Sequence, residues 1–260
     1  LPQIVYYYAA FLRACKQNII QPGEKINFCV PTGNFGNILA GYYAKRMGLP
    51  VNKLICASNR NNVLTDFFQS GKYDSNRPFY RSMSCSIDIL VSSNLERLLF
   101  ELTGRDNLQV SDWMNSLTQT GSYTIDEALT NKLHAYFYAD WCNEDDTLAT
   151  IRAEFDKSGY LMDPHTAVAQ TIYHRYRETT GDETYTVLLS TAHPFKFSSG
   201  VLRAFETPCN HDDENNARLA SITGHPVPPV IASLAQMPIL HKKIVAIGDT
   251  PARVLEVLRP

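Results

Sequence analysis

Lys25-Ile-Asn-Phe-Cys-Val-Pro-Thr-Gly-Asn-Phe-Gly-Asn-Ile-Leu-Ala-Gly-Tyr-Tyr-Ala-Lys-Arg-Met-Gly-Leu-Pro50, with Lys53-Leu-Ile-Cys-Ala57 just beyond it, is the stretch on which the fold turns. Lys25–Val30 is a short apolar run rich in strand formers. From about Gly36 the period changes, and Ile38, Leu39, Tyr42 and Tyr43 share one helical face until Gly48-Leu-Pro50 stops the helix. Lys53–Ala57 then reads as a second strand. Strand, helix and strand at this spacing predict a βαβ unit, hence a parallel sheet covered by helices.

The pattern continues in both directions. Residues 3–17 read as a helix. Ser93 with Glu96 three residues on predicts a capping box, and Leu95, Leu98, Leu99 and Leu102 form a core-facing stripe that Gly104 ends. Asp163 as N-cap and Pro164 at the first helical position open another helix, with Val168, Ile172, Tyr173 and Tyr176 inward and Gly181 closing it. Tyr185-Thr-Val-Leu-Leu-Ser190 reads as a buried strand. Residues 105–160 read as mostly helical, the polar residues 206–219 as a surface loop, Lys243–Ile247 as a strand, and Thr250-Pro251 as the start of a last helix. The fold class expected is α/β, with a parallel-rich sheet flanked by helices.

Composition narrows the function. Hydrophobic residues make up 44% of the 260 and charged residues 19%, as in an ordinary globular protein with a sizeable core. A formal net charge of -2 leaves no basic field to hold nucleic acid. No apolar run is long enough to span a membrane, and no charged and apolar regions mark a signal peptide. The six cysteines (Cys15, Cys29, Cys56, Cys85, Cys142 and Cys209) form no C-x-x-C pair. They read as small buried thiols of a reducing compartment, and a cytoplasmic location is expected. Leu1 is not an initiator methionine and runs directly into a helical pattern, so the chain is expected to be a piece of a longer one.

Two polar clusters carry the chemistry. Pro31-Thr-Gly-Asn-Phe-Gly-Asn37 lies between a strand and a helix. Gly33 and Gly36 are expected to adopt backbone conformations closed to other residues, so that several N–H groups converge at a helix N-terminus. That describes an anion cradle, most simply for a phosphate. The glycine spacing is not G-x-G-x-x-G and no G-K-[ST] follows, which argues against dinucleotide and P-loop sites. A tight βα turn that binds nothing remains open here. The second cluster is Leu189-Ser-Thr-Ala-His-Pro-Phe-Lys-Phe197, with Ser190, Thr191 and His193 just past a strand. Both clusters are expected on the same sheet edge, where ligands of open α/β sheets bind. His193 taken alone is expected to satisfy a backbone group at the strand end.

Together these residues resemble the threonine synthases. The resemblance lies in Val30–Pro50, in Leu54-Ile-Cys-Ala-Ser-Asn-Arg-Asn-Asn-Val-Leu-Thr-Asp-Phe67, in Ser86–Leu99, in Asp163-Pro-His-Thr-Ala-Val-Ala169 and in Leu189-Ser-Thr-Ala-His-Pro194, in family order over most of the chain. It implies a fold type II pyridoxal 5'-phosphate (PLP) enzyme of the tryptophan synthase β type. The residues 1–260 would be a C-terminal part that contains most of the large PLP-binding domain, without the N-terminal region. By resemblance Gly33, Asn34, Phe35, Gly36 and Asn37 would cradle the cofactor phosphate, and Thr191 would offer its hydroxyl to the pyridine nitrogen. The implied reaction converts O-phosphohomoserine and water into threonine and phosphate, by γ-elimination and then hydration at the β-carbon.

The family's cofactor-bearing lysine lies in a motif resembling A-F-K-D, and no such motif occurs here. Lys196, near Thr191, matches a different family position; Lys45, Lys53 and Lys72 read as solvated. The chain alone is therefore expected to be inactive, to hold PLP weakly or not at all, and to self-associate through apolar surface left uncovered. Two other readings stay open: a related phospho-lyase that releases an α-keto acid, and a non-catalytic module that binds a phosphorylated small molecule or a protein.

Overall fold

The computed structural model describes residues 2–259 apart from 206, 209, 210 and 241, and it falls into two compact units, residues 1–226 and 227–260. Cys209 lies outside the described residues.

The first unit is built on a four-stranded sheet. Its strands are β1 (Ile26–Pro31), β2 (Val51–Ser58), β5 (Phe137–Trp141) and β6 (Thr186–Leu188), in the order β5-β2-β1-β6 and all parallel. The short strands β3 (Lys72–Asp74) and β4 (Ser122–Thr124) pair antiparallel apart from it. The helices are α1 (Ile4–Lys16), α2 (Gly36–Arg46), α3 (Val63–Ser70), α4 (Leu95–Leu102), α5 (Asn107–Thr120), α6 (Glu127–Tyr136), α7 (Glu144–Ser158), α8 (Pro164–Thr180), α9 (Ser198–Leu202) and α10 (Asp212–Thr223). The expected βαβ unit is therefore β1-α2-β2.

The period-two alternation of a strand divides the core in two. Phe28 and Val30 of β1, with Leu54 and Cys56 of β2, face a large cluster that includes Tyr7 and Phe11 of α1 and Ile38 and Tyr42 of α2. Cys29, Ile55 and Ala57 face the other way, onto Val168, Ala169, Ile172 and Tyr176 of α8. Helices thus cover both faces, which is why β1 and most of β2 are buried without alternation. On the first face a Cβ at Gly41 would lie 2.7 Å from the ring of Tyr7 and 2.8 Å from Leu54, so only glycine lets α1 and α2 close on the sheet.

Several expectations needed correction. Residues 105–160 are mostly helical, as expected, but β4 and β5 also lie among them, and β5 supplies a sheet edge. The strand expected over 185–190 is three residues long and half-buried, because β6 is the other edge and pairs only with β1. Residues 212–223 are α10, a helix opened by Asp212, Asp213 and Glu214 against its positive end, where a loop was expected. In the second unit, the residues from 242 to 246 form no strand. That unit holds α11 (Pro229–Ala232) and α12 (Thr250–Leu258), and Val254, Leu255, Val257 and Leu258 of α12 are exposed. No helix among the described residues is long and apolar enough to cross a membrane.

One carboxylate ties the N-terminal edge of the sheet together. Asp182 Oδ2 accepts from Asn27 Nδ2 (2.9 Å), from Asn52 Nδ2 (3.1 Å) and from the Tyr176 hydroxyl, and Oδ1 accepts from Thr184 N–H (2.9 Å). Burial by itself would raise this carboxyl, but the hydrogen bonds from Thr184, Tyr176 and Asn27 outweigh it and hold the group well below the usual carboxylate range. Its contribution to stability is therefore complete above the unfolded value of about 4 and is lost as pH falls through that value and below. Asp182→Asn is expected to lower the urea midpoint at neutral pH and to flatten its decline between about pH 5 and 3. An unchanged slope would show that Asp182 is not the linked group.

Candidate functional site

The chain leaves β1 towards β2 and β5 on one side and returns to β6 on the other. The crevice beyond the C-terminal ends of β1 and β6 is thus a topological switch point, the usual ligand position in an open parallel sheet. Both polar clusters open there. Pro31 ends β1, and β6, its parallel neighbour, ends two residues before Ser190.

The conformation of the loop depends on an aromatic residue. Phe35 is left-handed (φ 63°, ψ 3°), a region that bulky side chains avoid at a cost of about 1–3 kcal/mol. It is held there because its ring is buried between Phe68 (centroids 6.1 Å apart) and Phe137 (5.9 Å). Neither Gly33 nor Gly36 has a positive φ, contrary to the conformational role expected of them. Gly33 is required for close approach instead: a Cβ there would lie 2.9 Å from Ile87 Cα and 3.1 Å from Ser86 O. At Gly36 the nearest atoms, in Asn94 and Gln3, would be 3.6 and 3.7 Å away, an ordinary contact.

The carbonyls of the loop are pinned on one side. Gly33 O accepts from Ser92 Oγ (2.9 Å); Asn34 O accepts from Asn94 Nδ2 (2.6 Å) and Asn94 N–H (3.2 Å). In a trans peptide the N–H points opposite to the C=O, so the N–H groups of Asn34 and Phe35 face away from residues 92–94. No side chain caps α2, and its first turn holds no acidic residue. The unpaired N–H groups at its start therefore carry their full positive character. Asn34 is exposed, while Asn37 is half-buried and its carbonyl and Oδ1 accept from Tyr7 OH at 2.7 and 3.2 Å.

The capping box expected at Ser93 does not form. The helix α4 begins at Leu95, and Asn94 at its N-cap turns its amide onto the phosphate-type loop instead of the helix. Behind Ser92, Tyr73 OH accepts from Ser92 N–H (2.8 Å) and donates to Leu90 O (3.1 Å), and its ring stacks on Tyr123. The segment that approaches Gly33 is anchored to the end of β2: Asp88 Oδ1 accepts from Asn59 Nδ2 (2.7 Å), Asn61 Nδ2 (2.9 Å) and Ser82 Oγ (2.6 Å). None of Ser92, Asn94, Tyr73 or Asp88 was singled out by sequence reasoning, because each acts through a residue distant in the chain.

Thr191 is exposed past the end of β6, and its hydroxyl has no hydrogen-bond partner among the described residues. His193 accepts from Phe195 N–H through Nδ1 (3.3 Å) and so closes the short turn Pro194–Phe197, as expected for a histidine at a strand end. Of the lysines, Lys45 donates to Val51 O (2.6 Å) and Lys53 to His134 O (2.6 Å), both at the far edge of the sheet. They are half-buried and not solvated as expected, and burial pushes both ammonium groups down. Lys72 pairs with Asp74, and Lys196 lies exposed over the Phe197 ring. Cys29, Cys56 and Cys142 are buried free thiols, while Cys85 is exposed. The cavity of about 500 Å³ bounded by Asn52, Lys53, Tyr138 and Asp182 is at the opposite, N-terminal edge and touches none of the loop residues.

The donor set fits a phosphate ester: uncapped amides, no competing carboxylate in the first helical turn, and a neutral hydroxyl at the neighbouring strand end. The chain is also similar to known proteins. Residues 166–246 match the family model described as threonine synthase, C-terminal. Human threonine synthase-like 1 is 44% identical over 207 residues, covering 79% of this chain and 28% of that protein. Threonine synthase of Pseudomonas aeruginosa is 38% identical over 204 residues, 78% of this chain and 42% of that protein. The crystal structure of PLP-bound threonine synthase from Brucella melitensis superposes with a TM-score of 0.76 at 39% identity, over 91% of this chain and 46% of the other.

This chain is a relative of the threonine synthases. Its α/β fold is the fold type II architecture of those enzymes. It spans less than half the length of each relative just named.

The two loop glycines make separable predictions. Gly33→Ala forces backbone against backbone and is expected to destabilise the chain by about 1–3 kcal/mol. Gly36→Ala meets only ordinary contacts at a helix start and is expected to be neutral or to stabilise by up to about 1 kcal/mol. Urea midpoints at constant m-value give the comparison; the reverse order would contradict the roles assigned to the two glycines.

Proposed function

We propose that this chain supplies the cofactor-holding part of a threonine synthase, a PLP-dependent lyase that converts O-phosphohomoserine and water into threonine and phosphate. The observation that carries the reading is the meeting, at one switch-point crevice, of an uncapped helix N-terminus with a loop whose carbonyls are turned away, and a free hydroxyl at the next strand end. The backbone N–H groups of Gly33, Asn34, Phe35, Gly36 and Asn37 would hold the phosphate of pyridoxal 5'-phosphate. Thr191 would place its hydroxyl at the pyridine nitrogen. Bound there, the cofactor would supply an electron sink for negative charge developing on substrate carbon. A neutral hydroxyl does not hold a proton on the ring nitrogen as a carboxylate would, so Thr191 tempers that sink.

By itself the chain is proposed to be inactive. Lys45, Lys53 and Lys72 are committed to carbonyls or a carboxylate away from the loop, which leaves the cofactor without a covalent partner among them. The apolar residues Val5, Tyr6 and Leu12 on the outer face of α1 are exposed, which supports self-association through that face. The free thiols support a reducing, cytoplasmic setting.

Titration with PLP and with pyridoxal, followed by borohydride, tests the reading. Protein fluorescence is expected to respond to PLP at lower concentration than to pyridoxal, and borohydride is expected to trap no lysine stoichiometrically. Equal response to the two ligands would remove the phosphate cradle. One lysine trapped per chain would overturn the non-covalent assignment, with Lys196 the first residue to map. In the whole protein, threonine formed from O-phosphohomoserine supports the synthase reading, whereas an α-keto acid would make the protein a phospho-lyase.

A further inference from the structure

Two side chains at the start of α8 have no part in the cofactor reading. Asp163 and His165 are each 1% exposed. Asp163 caps the helix, accepting from His165 N–H (2.9 Å) and Thr166 N–H (3.4 Å) through Oδ1. An N-cap needs only the carboxylate, and the imidazole buried beside it makes two further bonds. His165 Nδ1 lies 2.7 Å from Asp163 Oδ1, and His165 Nε2 lies 3.1 Å from Ser86 N. A carboxylate can only accept here and a backbone N–H can only donate. The ring therefore carries its proton on Nδ1 and turns a bare Nε2 to Ser86.

Ser86 and Ile87 form the surface on which the loop rests. The closest neighbours of Gly33 are Ile87 Cα and Ser86 O, at the distances that exclude any side chain. The other carboxylate oxygen leads to the second cluster. Asp163 Oδ2 accepts from the Thr166 hydroxyl, and Thr166 Oγ1 is 3.3 Å from Ser190 Oγ, in the residue directly before Thr191. Thr166 has one hydroxyl hydrogen; it is directed to the carboxylate, and Ser190 Oγ lies beside it as the longer, second acceptor. A single buried carboxylate is thus connected to both halves of the crevice, through His165 and Ser86 to Gly33 and through Thr166 and Ser190 to Thr191.

We propose that the Asp163–His165 pair is a positioning element that holds the phosphate loop and the Thr191 strand end in a common register, with His165 Nε2 setting the loop through Ser86. The proposal rests on the reading of residues 33–37 as a phosphate cradle. His165 touches neither cofactor nor substrate; it acts through the Ser86–Ile87 backbone.

The test compares the unaltered chain with His165→Gln and His165→Asn. Glutamine puts an acceptor where Nε2 stood and keeps the bond to Ser86. Asparagine keeps a donor towards Asp163 and abandons Ser86. One readout needs no ligand: the backbone amide resonances of Gly33 and Asn34. The other is the ratio of pyridoxal to PLP dissociation constants, which isolates the contribution of the phosphate. His165→Gln is expected to leave both unchanged. His165→Asn is expected to shift the Gly33 and Asn34 resonances and to reduce the ratio roughly tenfold, the factor matching one net hydrogen bond, with pyridoxal affinity unaltered. Loss of thermal stability in both variants without any change in the ratio would reduce His165 to a structural role. Unmoved Gly33 and Asn34 resonances in His165→Asn would overturn the proposal even where the unaltered chain prefers PLP. If the unaltered chain shows no such preference, the cradle reading falls, and the resonances alone decide whether the coupling exists. Should neither variant fold, the ring nitrogen resonances of His165 in the unaltered chain decide the matter: a proton on Nε2 would overturn the proposal, and a proton on Nδ1 with a bare Nε2 would support it.

Discussion

The C-terminal edge of the sheet is organised around the point where the backbone of Gly33 meets that of Ile87, at a distance that leaves no room for a side chain. Two segments about fifty residues apart in the chain are brought into van der Waals contact there, and each is bonded outward. On one side the loop carbonyls are held by Ser92 and Asn94; on the other the approaching turn is held by Asp88 and by His165. A binding site made of backbone N–H groups has no rotamers with which to compensate, so its geometry is only as good as the packing behind it.

That packing is unusual in the work given to aromatic residues. Phe35 is kept in a left-handed conformation by a cluster with Phe68 and Phe137, and Phe137 is the first residue of β5. Tyr73 stacks on Tyr123 across the small antiparallel pair and fixes Ser92 with its hydroxyl. The strands that sequence patterning overlooked, β3, β4 and β5, are therefore the ones that supply the rigid backing of the loop. Backbone strain at Phe35 persists because several rings determine its position together.

The charge distribution separates two kinds of polar group. Carboxylates with several donors, Asp88, Asp163 and Asp182, act as internal ties at different parts of the sheet. Past the ends of β1 and β6 stand uncharged groups: the uncapped backbone amides at the start of α2, and the exposed residue Thr191. Under the proposed function, an anionic ligand entering there would meet partial positive charge at the uncapped helix start.

The sequence by itself determined the α/β class, the β1-α2-β2 unit, the position of the loop 31–37 and its place beside Ser190–Thr191. All of these follow from local apolar periodicity, from strand-to-helix punctuation and from the rule that parallel strands open ligand sites at one edge. The same patterning failed at β5, whose five residues sit among helices without a distinctive alternation, and at β6, where an apolar run suggested burial on both sides of a strand that lies at an edge. It also placed a cap at Ser93, a local motif, whereas α4 starts at Leu95 with Asn94 at its N-cap, whose amide makes a long-range bond to Asn34 O. Only the tertiary structure decided that Gly33 serves close approach and not backbone freedom, that Phe35 carries the left-handed turn, and that Asp163 and His165 are buried together against Ser86 and Thr166. Each of these depends on which distant backbone arrives next to a residue, and no window along the chain contains that information.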